Sequence, residues 1–151
     1  MPSDYGRRTL LGAALAGLVG LAAGGYTWNQ YSRRHDLRLR PLEVRNESTD
    51  PATIELAVHD GDRTIRRTER LTPVDDDADR RAVPGRWMKH ARPYAVRAEL
   101  EDEAEAIELE PSTITGRLGG AGWGVDCAHL TVVVTTDRSL ETRVDGCAAD
   151  Q

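Results

Sequence analysis

Two cysteines, Cys127 and Cys147, and the tripeptide Cys127-Ala128-His129 carry most of the reactive chemistry in this chain. Two readings compete for them. In the first they form a disulfide. Leu130–Thr135 reads as a strand, Thr136–Ser139 as a turn and Leu140–Val144 as the return strand. A hairpin centred on Asp137 sets Thr135 opposite Ser139 and Cys127 opposite Cys147. Directly opposed residues at a non-hydrogen-bonded site bring their Cβ atoms close enough to bond. A closed loop of about 20 residues then contributes roughly 3 kcal/mol by restricting the unfolded chain. In the second reading, Cys127, His129, His59 and Met88 supply the thiolate, two imidazoles and weak thioether of a copper electron carrier. Cys and His two apart on one strand lack the loop spacing of such sites. No Met follows His129, and Cys147 is the simpler partner. The disulfide is therefore favoured, and no metal or other cofactor is expected.

The remaining chemistry-bearing residues are sparse. His35, His59, His90 and His129 are scattered without a metal-ligand spacing. No Ser sits in a nucleophile-elbow pattern, and the glycines of Gly116–Gly124 lack the strand–loop–helix context of a phosphate-binding loop. No enzyme activity is expected. Asp75, Asp76, Asp77 and Asp79 offer oxygen ligands for Ca²⁺, but Arg80 and Arg81 beside them favour a solvated loop. Asn46-Glu47-Ser48 is an N-glycosylation sequon in a turn, which makes Asn46 a candidate glycan site.

The elements that must position these groups begin with an address. Arg7 and Arg8 precede an apolar run from Leu10 to Trp28 without a charge. The pair resembles a twin-arginine export motif. The run is just long enough to span a bilayer. Ala23-Gly24-Gly25 offers a cleavage site before Tyr26. Tyr26, Trp28 and Tyr31, followed by Arg33 and Arg34, instead suit a retained anchor at the membrane–water interface. The expectation is an anchor at residues 10–28, N-terminus cytoplasmic, with the rest extracytoplasmic at the cell membrane, or secreted if cleaved. Residues 1–34 thus form a signal or anchor with a short stalk, and residues 35–151 one domain.

Charge narrows the partners. The chain holds 20 basic and 25 acidic residues in 151; residues 1–34 account for four and one of them, which leaves 16 against 24 and a net −8 for the remainder. Nucleic acid needs a basic footprint and is not an expected partner. Nineteen of the basic residues are Arg; Lys89 is the single Lys. This acid-rich, Lys-poor balance suits a salt-adapted chain.

Past residue 34 the pattern is alternating. Leu37, Leu39, Leu42 and Val44 mark a first extended segment in which Pro41 signals an edge or a break. Ile54, Leu56 and Val58 alternate with polar residues, Asp60-Gly61 signals a hairpin, and a mostly polar return runs from Thr64 to Leu71. Residues 72–93 read as irregular. Tyr94–Leu100 and Ile107–Leu109 read as strands, with a short helix over Glu99–Glu110 as the alternative. About seven strands and no convincing helix in the domain predict an all-β antiparallel sandwich preceded by an apolar N-terminal helix.

With Arg7-Arg8, Pro84-Gly85-Arg86-Trp87, Tyr94-Ala95-Val96-Arg97-Ala98 and Asp126-Cys127 before a Val-rich strand in place, the chain resembles small exported Ig-like β-sandwich proteins of halophilic archaea. The resemblance covers residues 37–147. It implies a non-enzymatic extracytoplasmic module with a structural or protein-interaction role beside other cell-surface proteins, and it carries no catalytic residues. The Cys…Trp…Cys spacing of true immunoglobulin domains is absent.

Overall fold

The computed structural model describes residues 33–118 and 127–147. The chain divides into two units, residues 1–34 and 35–151. Among the described residues of the second unit, eight strands form two four-stranded sheets. One sheet has the order β4 (Arg80–Ala82), β1 (Arg38–Asn46), β7 (Cys127–Val134), β8 (Leu140–Gly146). The other runs β3 (Arg63–Leu71), β2 (Ala52–Asp60), β5 (Ala95–Leu100), β6 (Glu105–Leu109). The inner faces meet in one hydrophobic core, so the domain is all-β and sandwich-like.

Two features differ from the expected seven antiparallel strands. A short eighth strand, β4, pairs with β1 inside the segment that reads as irregular. And β1 pairs with β7 in parallel, joining residues far apart in the chain. The domain also holds a helix, α1 (Pro111–Arg117), with Pro111 in its first turn and Ile114 buried against the core. One inward residue in seven is too little periodicity to announce a helix in the sequence.

The break at Pro41 decides how β1 packs. Leu39 pairs with Ala128 and Leu42 with Leu130, so Arg40 and Pro41 together stand opposite the single residue His129. This bulge switches the inward parity. Leu37 and Leu39 point to the core before it, and Leu42, Val44 and Asn46 after it. A strand without the extra residue would turn one of those sets to solvent.

Elsewhere the alternation follows the sequence. Ile54, Leu56 and Val58 of β2 meet Val96, Ala98 and Leu100 of β5 on one inner face; Leu130, Val132 and Val134 of β7 line the other. The β2–β3 hairpin turns through Gly61 and Asp62, with Gly61 at φ +58°, a left-handed conformation that glycine adopts without steric cost. The polar β3 lies at a sheet edge. Glu105–Leu109 is strand rather than helix, because Val96 and Ala98 offer it a pairing partner and a core to cover.

A polar side chain closes the core at each end of the sandwich. At the end where β1 finishes and β2 starts, Asn46 is fully buried. At the other, Asp60 is 5% exposed and meets Arg92 Nε at 2.7 Å and Arg86 Nε at 3.3 Å. Leu37 bridges to Arg92 at this second end, and His35 Nδ1 lies 2.8 Å from the Thr115 hydroxyl of α1. The chain therefore enters the sandwich beside Asp60.

Candidate functional site

The entrance end gathers chemistry that the sequence does not announce. β1 begins here with Arg38 and Arg40 on its outward side. A 3₁₀ turn, Arg86–Met88, follows Pro84-Gly85 and lies against β1. Trp87 fixes that turn. Its indole is fully buried, and Nε1 donates to the Val83 carbonyl at 3.1 Å. A Cβ built on Gly85 would collide with the indole ring of Trp87, so only glycine allows this approach.

Between β1 and the turn lies a cleft of about 800 Å³ lined by Arg38, Arg40, Arg86 and Lys89, with Pro84 and Met88 as its apolar part. No carboxylate of the described residues lines it. Among the described residues, Arg40 and Lys89 have no ion-pair partner, and both are exposed. Behind the wall, Asp60 holds Arg86 and Arg92 in place. Tyr94 completes the support; its hydroxyl donates to the His90 carbonyl at 2.8 Å. Burial, and after it the negative charge of Asp60, pushes the Tyr94 phenol above the ordinary tyrosine range.

The disulfide also sits at this end. Cys127 and Cys147 are bonded, with Cα atoms 5.5 Å apart, within the usual range. Cys147 Sγ lies 3.2 Å from the Arg40 carbonyl oxygen. The register is the expected one, since Ala128 faces Gly146 and Val134 faces Leu140. The pair type is not. Thr135 N–H donates to Ser139 O, and hydrogen-bonded pairs recur every second residue, which puts Cys127 and Cys147 in a hydrogen-bonded pair. Cys147 N–H indeed donates to Cys127 O at 3.5 Å.

The copper set is not assembled. Cys127 is committed to Cys147. His59 belongs to β2, where its Nδ1 lies 2.9 Å from the Thr64 hydroxyl; His129 belongs to β7 in the other sheet, with Nε2 3.7 Å from Glu43. Met88 packs against the core. The acidic loop turns on itself, with the Asp75 N–H donating to Asp79 Oδ2, while Arg80 and Arg81 pair away with Glu43 and Glu69.

Asn46 requires a correction. The sequon reading places it in a surface turn, but it is the last residue of β1 and points inward. Its Nδ2 donates to the carbonyls of Asp50 at 2.8 Å and Thr72 at 2.9 Å. Its Oδ1 accepts from the Ser48 N–H and hydroxyl. Both amide hydrogens are used, so in the folded domain the nitrogen that would carry a glycan is inaccessible. A turn does follow Asn46, yet the bulge at Pro41 sets the parity that sends Asn46 itself inward.

At the opposite end a smaller hollow of about 420 Å³ is lined by Glu55, Glu99, Glu101, Glu103 and Glu105. Several of these are engaged: Glu55 with Arg66, Glu99 with Arg97, Glu103 with Arg138. Arg7, Arg8 and the apolar run 10–28 lie outside the described residues. Among the described residues no helix is long and apolar enough to cross a membrane. The cleft residues were missed from sequence because Arg86 and Lys89 fall in the irregular stretch. Only the solitary Lys and the Arg38/Arg40 alternation hinted at them.

No protein-family model matches the chain, and no curated protein matches it.

Proposed function

We propose that this protein is a membrane-anchored, extracytoplasmic Ig-like sandwich with a non-catalytic structural or protein-interaction role at the cell surface. The observation that carries the reading is the Cys127–Cys147 bond. Disulfides form and persist in oxidising compartments. The domain bearing it follows an apolar run headed by Arg7 and Arg8, which keep the N-terminus in the cytoplasm by the positive-inside rule. The Ig-like assignment draws on Tyr94, whose hydroxyl donates four residues back just before β5, a corner recurrent in such sandwiches. The parallel β1–β7 pair departs from that pattern.

Cell fractionation tests the reading. The full chain should remain in the membrane fraction after high-salt extraction, oxidised at Cys127 and Cys147, and open to external protease. The Arg7→Lys, Arg8→Lys variant should stay in the cytoplasm with free thiols. Protein in the medium starting near Tyr26 would replace the anchor by a cleaved signal. Wild-type protein held in the cytoplasm with reduced cysteines would overturn the reading.

A further inference from the structure

From the cleft beside the chain entrance we infer a binding site for the phosphate of anionic lipid headgroups, read by Arg40 and Lys89 with Arg38 and Arg86. The inference rests on the anchored reading above and adds to it a specific contact with the membrane surface.

Three observations carry it. First, charge is placed against the trend of the molecule. The domain is net acidic, yet among the described residues this cleft is lined by four cationic side chains and no carboxylate. Asp60 neutralises part of Arg86 from behind and leaves Arg40 and Lys89 without an ion pair among the described residues. Second, the cleft suits a headgroup in kind. Arginine forks match phosphate oxygens in pairs, and the Lys ammonium adds a point charge. Its volume is that of a small-ligand site, and Pro84 and Met88 give an apolar side against which glycerol carbons can pack. Third, the chain brings the site within reach. The apolar run ends at Trp28, and Leu37, the residue before Arg38 of the cleft, is fixed by its bridge to Arg92. The eight intervening residues span at most about 28 Å when extended. An anchor in the bilayer therefore leaves Arg38 and its neighbours able to reach the headgroups, where basic side chains within about a Debye length are attracted to anionic lipid.

Lys89 supplies the test, because it is the only lysine. Full-length protein is placed in nanodiscs of phosphatidylglycerol or of phosphatidylcholine, and amine acylation at Lys89 is followed by peptide mass spectrometry. A reference amine on the outer face of β3, introduced as Arg66→Lys, corrects for the general effect of surface potential. Lys89 should react about fivefold more slowly in phosphatidylglycerol, the factor expected of one basic side chain at an anionic surface, while the reference amine changes little. Arg40→Ser should restore Lys89 reactivity without loss of nanodisc association. Equal reactivity in both lipids, with the protein present in both discs, overturns the cleft assignment and leaves the anchor reading intact. Equal slowing by inorganic phosphate added to phosphatidylcholine discs overturns lipid as the occupant in favour of a free anion. Failure of the full chain to enter either disc overturns the anchor reading and this inference together.

Discussion

At the scale of single residues, two positions decide more than their size suggests. Gly85 is required by contact: its backbone is extended, with φ −176°, but the Trp87 ring occupies the space of a side chain. Gly85→Ala must displace a fully buried indole. It should lower stability by about 1–3 kcal/mol, the range for overpacking, read as a shifted urea midpoint with an unchanged slope. Asn46 is required by hydrogen bonding. Asn46→Ala would leave the carbonyls of Asp50 and Thr72 and the N–H of Ser48 without their partner. A loss on the order of 3 kcal/mol is expected from stranding such groups in the core. Intact mass measurement should find Asn46 without glycan when the domain folds before it meets a glycosyltransferase. Neither role was visible in the sequence. Gly85 fell within the irregular stretch 72–93 and Asn46 read as a surface sequon, because a local pattern reports neither a close ring contact nor which way a residue faces after a bulge.

At the scale of elements, hairpins were legible and everything non-local was not. The β7–β8 register followed from the Thr136–Ser139 turn, and with it the cysteine pairing. The β2–β3 hairpin followed from Asp60-Gly61. By contrast, β4 has three residues, all exposed, and owes its strand geometry to β1. Helix α1 has one buried residue. The entrance end of the domain depends on Leu37 meeting Arg92 across the chain, and no periodicity encodes that meeting. Two predictions belong here. Removing the disulfide in a Cys127→Ser, Cys147→Ser double variant should cost up to roughly 3 kcal/mol. Its hairpin register should persist, since the turn sets it, and an unchanged hydrogen-exchange pattern over Leu130–Thr135 would show this. The second concerns the ion pair between the β1–β2 connection and β8. A hydrogen bond from Arg143, with the charges of Arg143, Arg45 and Arg80, holds the Glu47 carboxyl below its ordinary value of 4.5. A carboxyl lowered in the folded state stabilises fully above its unfolded pKa, and the contribution fades as pH falls through the folded one. Stability should thus drop from about pH 4.5 downward. Glu47→Gln should flatten that part of the profile in melts taken across the acid range.

At the scale of the whole domain, one core serves both sheets. The inward-facing apolar residues of β1, β2, β5, β6 and β7 belong to a single cluster, and four connections carry the chain between the sheets. Unfolding should therefore be one cooperative event. Far-ultraviolet and near-ultraviolet dichroism should give coincident transitions, and two separated midpoints would show the sheets parting independently. Two of the four sheet edges are guarded against pairing with another strand. β3 presents Arg63, Arg66, Arg67 and Arg70, and β4 is too short to recruit a strand. Arg138, at φ +62° in the β7–β8 turn, reaches the Pro51 carbonyl and the Glu103 carboxylate, and so fastens the tips of the two sheets at the end away from the chain entrance.

The parallel alignment of β1 with β7 has a mechanical consequence. A load that pulls the domain by its N-terminal end, against something held at the far tips, acts along the axis of β1. The rungs between Arg38–Cys127 and Asn46–Val134 then share the strain together, in shear, rather than opening one after another like a zipper. β4 guards the other flank of the same strand, and the bulge at Pro41 resists sliding because a slipped β1 would turn leucines outward. Such a strand behaves as a tensile strut: traction applied where the chain enters the domain meets rungs loaded in shear.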